Sequence, residues 1–177
     1  MRYKISELED QLIATIEADT TNFENVLIKP YSGQVSAQNF LNPEYMQGFV
    51  DLLPFVFVSY QGRFSEKMDR DSSLMYYIHT LFFRFYIGAR SANTTQDAVR
   101  NCYDMLAGIY DDIHGKVPVT SPQQLTGYTA LSGTALTSTD ATVRSCFYET
   151  GGRDEQIVIN LPGIVVYQSD YEIKMVA

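Results

Sequence analysis

The sequence predicts an α+β fold: a mostly antiparallel sheet, an N-terminal helix and a long central helix packed on one face, and a projecting β-hairpin. Three observations carry this. From Leu74 to Ala89 an extended chain sets Tyr77, His79, Leu81, Phe83, Phe85 and Ile87 on one side and Tyr76, Ile78, Thr80, Phe82, Arg84 and Tyr86 on the other. Further on, Val99, Cys102, Leu106, Ile109 and Ile113 recur at spacings of three and four, the stripe of an amphipathic helix. Near the end, Val165, Tyr167, Tyr171, Ile173 and Met175 alternate with Gln168, Asp170, Glu172 and Lys174, the pattern of a half-exposed antiparallel strand.

Taken in order, the first element is a helix carrying Ile5, Leu8, Leu12 and Ile16 on one stripe. Ser6 and Glu9 have the spacing of a capping box at its start. Val26-Leu27-Ile28 is a short β-prone run, and 31–51 is too mixed to assign. Leu53 to Tyr60 reads as a strand with Pro54 at its start. Gly62 to Ser73 is densely charged with alternating signs, which predicts the connection of a long hairpin to the strand at Leu74. That second strand exceeds the usual length, so the hairpin is expected to reach beyond the core. Thr94 is placed to cap the central helix, Asp97 lies in its positive first turn, and Gly115 stops it beside His114, read as a surface residue that complements the helix dipole. Val117 to Thr139 holds no charge, so about 116–141 reads as an extended arm or a β-rich insertion. Thr142–Glu149 and Gln156–Asn160 flank Thr150-Gly151-Gly152-Arg153-Asp154-Glu155, which predicts a second hairpin turn.

At 177 residues, with 45% hydrophobic content, the chain has the size and core material of one domain spanning 1–177. Thirteen basic residues against 21 acidic give a formal charge of −8, which argues against a protein that grips nucleic acid by neutralising phosphates. The opening MRYKISELEDQL has no uninterrupted apolar stretch, so no signal peptide is expected, and no run reaches a membrane span. Asn93-Thr94-Thr95 therefore reads as an accidental glycosylation match. Cys102, in the predicted helix, and Cys146, in a predicted strand, read as buried free thiols.

Signals for chemistry are sparse. His79 and His114 are the only histidines, and neither lies in a metal-ligand spacing. Ala130-Leu131-Ser132-Gly133-Thr134 lacks the first glycine of a nucleophile elbow, and no phosphate-cradling loop occurs. Asp111-Asp112 point in different directions on a helix, and Asp69 with Asp71 alternates with Lys67 and Arg70. The residues thus point to no enzyme and no cofactor. Interaction candidates remain. Arg63, Phe64, Lys67, Met68, Asp69, Arg70 and Asp71 populate the hairpin tip, either as a docking surface or as a solvated loop. Arg84 interrupts an aromatic strand and needs an acceptor, within the sheet or across subunits. Arg90 and Arg100 flank the start of the central helix.

In this order, the segments ISELEDQLIATI, LPFVFVSYQGRF, FFRFYIGARSANTTQDAVRNCYDMLAGIYDDIHG and GIVVYQSDYEIKM resemble the Mu-like phage tail terminator family. The telling features are the Leu-Pro-led strand closed by glycine, and a strand ending Ala89-Arg90-Ser91 that feeds a long helix ending His114-Gly115. The charge-free stretch after that helix is longer than the family pattern. The resemblance implies a structural subunit of the virion, assembled in the host cytoplasm as a homohexameric ring. Such a ring caps the head-proximal end of a contractile tail, meets tail tube and sheath proteins, and presents a surface to the neck connector. DNA passes through its channel without specific binding. Two other readings compete: a different neck or tail completion protein, and a small-molecule-binding domain or enzyme whose site is assembled from scattered residues.

Overall fold

The computed structural model describes residues 4–35, 42–68, 76–119, 129–133, 142–143, 146–150 and 155–176. Among these residues three helices, α1 (Ile5–Ala18), α2 (Pro43–Asp51) and α3 (Thr95–Ile113), accompany nine strands. The strands are β1 (Leu27–Pro30), β2 (Phe55–Met68), β3 (Tyr76–Arg90), β4 (Lys116–Val117), β5 (Thr129–Ala130), β6 (Thr142–Val143), β7 (Tyr148–Glu149), β8 (Glu155–Leu161) and β9 (Ile164–Val176). Seven of them form one sheet, β1-β2-β3-β9, with β6, β7 and β8 end to end along the far side of β9. Only β1 pairs parallel within it; every other ladder is antiparallel.

The expected α+β fold is observed. Alternation along the strands divides the sheet into two faces. Val56 and Val58 of β2, Leu81, Phe83, Phe85 and Ile87 of β3, and Val165, Tyr167, Tyr171, Ile173 and Met175 of β9 pack under α1 and α3. The two predicted helices therefore share one face. Leu8, Leu12 and Ile16 supply the α1 side, and Cys102, Leu106, Ile109 and Ile113 the α3 side. The opposite face carries Phe55, Phe57 and Val166, covered at one end by Phe49 of α2, Leu53 and Val35. This helix lay in the unassigned stretch. Asn42 caps it by accepting from the Glu44 N–H at 3.0 Å, with Pro43 at its first turn.

Several local expectations are corrected. Ser6 does not cap α1: the helix starts at Ile5, which packs against the core, so Ser6 lies inside the first turn. Lys4 pairs with Glu7 at 3.1 Å, and Glu9 accepts the Tyr60 N–H, a donor of β2 just beyond the last residue paired to β1. Pro54 precedes β2, joined to Leu53 by a cis peptide. The charged run after Gly62 is not a loop up to Met68: it continues β2, because each residue through Met68 finds a partner on β3. A bulge between Tyr60 and Gly62 reverses the side-chain parity there. The second hairpin turn is also misplaced. β7 and β8 both pair with β9, and the hairpin is β8–β9, turning through Pro162-Gly163 with Gly163 at φ +73. Residues 151–154 of the expected turn lie outside the described residues. Cys146 is half-buried and precedes β7 rather than lying in a strand, whereas Cys102 is buried as expected.

The central helix follows its sequence signals. Thr94 Oγ1 accepts from the Asp97 N–H at 3.1 Å, and Gly115 takes φ +73 beyond the C-cap. Burial pushes the Cys102 thiol up to about 12, so it remains a protonated packing group whose Sγ lies 3.6 Å from the Val165 carbonyl. His114 is exposed and stacks on Tyr110 at 4.4 Å. The described parts of the charge-free stretch are tied to α1. Gln11, 1% exposed, accepts from the Val119 N–H at 2.8 Å and donates to the Val119 carbonyl at 3.1 Å. Thr15 Oγ1 accepts from the Ser132 N–H at 2.9 Å, and β4 pairs with β5. Two buried polar side chains thus replace the missing strand partners of this segment.

Candidate interaction surface

Beyond the helices the β2–β3 hairpin continues with solvent on its flanks. Arg63, Phe64, Ser65, Glu66 and Lys67 are all exposed, Phe64 by 57%. Met68 closes β2, while Asp69, Arg70 and Asp71 lie outside the described residues. On the helix-bearing face Ser65 Oγ and His79 Nδ1 are 2.9 Å apart. Burial, aided by the nearby Arg63 charge, lowers the His79 pKa.

Arg84 and Arg90 do not join the tip. Arg84 lies mid-sheet and forms a fork with Asp170 of β9, Nε–Oδ1 2.6 Å and Nη2–Oδ2 2.8 Å. The two residues are direct cross-strand partners. Hydrogen bonding to Asp170 holds the guanidinium above its ordinary range despite partial burial. Of the two placements open from sequence, the in-sheet one is therefore occupied. Arg90, at the other end of β3, reaches the Val50 carbonyl of α2 at 3.5 Å.

Sequence reasoning missed a second surface. β8 is the outer strand beside β9, with Ile157 51% and Val158 41% exposed. Gln156 to Leu161 contains no charge, in contrast to the Arg63, Glu66 and Lys67 that guard β2. The available signal was the run Ile157-Val158-Ile159, which alternation would have flagged had β8 been placed at an edge. Tyr103 (51% exposed) and Tyr110 (41%) also line a shallow groove with Leu106, Ala107 and Glu149.

Asp112, near the end of α3, is strained electrostatically. Burial, together with Asp19, raises its pKa to about 6, and its Oδ2 has no hydrogen-bond partner. A carboxyl raised in the folded state above its unfolded value binds more protons when native, so stability falls as pH rises between about 4 and 6. Asp112→Asn is expected to flatten that slope and raise stability at pH 7.5 by ~1 kcal/mol after allowance for solvent screening. Urea midpoints at pH 4.5 and 7.5 check this; a variant weaker than wild type at both refutes it.

Among the described residues no group of three or more His, Cys, Asp or Glu is placed to hold a metal ion, and no helix is long and apolar enough to cross a membrane. Comparison with protein-family models and with curated proteins finds no match.

Proposed function

We propose that this chain is a structural subunit that closes the head-proximal end of a phage tail as a homohexameric ring, as the resemblance of four of its segments to Mu-like tail terminators implies. In this reading it is not an enzyme. It ends tube and sheath growth, serves as the seat for the neck connector, and lets DNA pass a channel to which six acidic subunits contribute. The observation that carries the reading is the presence of two unlike surfaces on opposite sides of one sheet. One is the charged hairpin end with Phe64; the other is the β8 edge, free of charge from Gln156 to Leu161, with Ile157 and Val158. A ring is built from heterologous contacts, which require two dissimilar surfaces on each subunit.

Light scattering after size exclusion, over a concentration series and with purified tail tubes added, tests it. Particles of six chains, or six chains per tube end, are the expected result. A chain that stays monomeric alone and leaves tubes unbound overturns it.

A further inference from the structure

We infer that the β8 edge takes the β1 edge of a second copy of this chain, extending the sheet from subunit to subunit; this rests on the ring reading. Counting along the sheet, β1 and β2 run one way, β3 the other, β9 back again, and β8 opposite to β9. The two outer strands are therefore antiparallel to each other. A copy related by rotation about an axis along the strands brings its β1 beside β8 in antiparallel order, without inverting the subunit.

The strands also match in height. Ile28 is level with Val56, Ile87, Tyr167 and Ile157, and Leu27 with Phe55, Gly88, Val166 and Ile159. An unshifted contact thus puts Ile28 beside Ile157 on the helix-bearing face and Leu27 beside Ile159 on the other. This covers the exposed side chain of Ile157. Lys29, the one charge on the incoming strand, comes level with the neutral Gln156.

Charge is complementary above the paired segment. Where β1 ends, the incoming side consists of β2, and the receiving side of β7. Glu149 of β7 is level with Tyr171, Phe83 and Tyr60, and Arg63 stands two pairs further along β2 on the same face. One strand is absent between them, a gap that an exposed arginine side chain spans. Arg63 of one copy is thereby directed at Glu149 of the next. The tip arginine and the overlooked edge become two halves of one contact.

Mutual rescue tests this in the full chain. Ile157→Lys, at a half-exposed position, is expected to leave the unfolding midpoint unchanged and raise the half-assembly concentration at least tenfold. Glu149→Arg and Arg63→Glu each weaken assembly several-fold, and the double variant recovers most of it. Assembly unmoved by Ile157→Lys, or a double variant no better than the singles, overturns the edge contact and leaves the ring reading standing. A wild-type chain that remains monomeric in solution and on tail tubes overturns both.

Discussion

A Gly88→Val protein is expected to unfold about 3 kcal/mol more readily than wild type, near the upper end of overpacking costs. Gly88 sits in β3 between Phe55 and Val166. A β-carbon there would lie 2.5 Å from Phe55 Cζ and 2.7 Å from Leu53 Cδ2. Those atoms belong to side chains, so the cost depends on whether the ring swings aside. It is held on both sides: Phe57 stacks on it at 4.2 Å and Phe49 meets it edge-on at 5.5 Å. With Phe55 fully buried, moving it displaces the patch on which α2 rests. Loss of protection is therefore expected first at the amides of α2, by hydrogen exchange, with the β3–β9 ladder following at global unfolding. A loss below 1 kcal/mol, or uniform loss of protection, contradicts this account.

The same region shows where sequence patterns stop being informative. Strands β3 and β9 and helix α3 were legible because burial on one side imposes a strict period, which Leu81, Phe83, Phe85 and Ile87 keep without exception. Helix α2 was not legible. It has nine residues with an internal Gly48, and its stripe is only Tyr45, Phe49 and the C-cap Leu52, too short to stand out in a mixed stretch. The extension of β2 through Arg63 and Lys67 was hidden for a different reason. Those residues are exposed, so composition reports solvent while pairing with β3 determines conformation. The hairpin turn at Pro162-Gly163 was concealed by a better turn signature at Thr150 to Glu155, although its proline and left-handed glycine are the residues such a turn requires. That misplacement also hid the β8 edge, because an edge is a property of the sheet order and not of any one strand. The candidate surface was thus half-readable: Arg63, Phe64 and Lys67 from their charge pattern, Ile157 and Val158 only from topology.

The second large effect concerns Arg84 and Asp170, whose role the sequence left open between a contact inside the sheet and a lock between subunits. Their side chains are 28% and 24% exposed, so the fork is partly shielded and worth more than a surface pair. Arg84→Ala is expected to cost ~2 kcal/mol, because it leaves a half-buried carboxylate without its donors. Asp170→Ala should cost a similar amount through the stranded guanidinium. The Arg84→Met/Asp170→Leu double variant removes both charges while keeping bulk, and is expected to lose under 1 kcal/mol, since its charge-burial penalty disappears with the pair. A cycle closed with the single Arg84→Met and Asp170→Leu variants, measured in urea on unassembled chain, is expected to give a coupling of about 3 kcal/mol, the excess of the single losses over the double, and would establish the interaction as intramolecular. Assembly separates the two roles. If the fork acts only within its sheet, the double variant keeps the wild-type half-assembly concentration once folded. A double variant that is stable yet unable to assemble would transfer Arg84 to the subunit contact. Thr150 sets the geometry in which this is decided: its N–H donates to the Asp170 carbonyl at 3.1 Å, fixing the carboxylate's strand from the side opposite Arg84. The pair is therefore preorganised within the subunit, before any neighbour arrives.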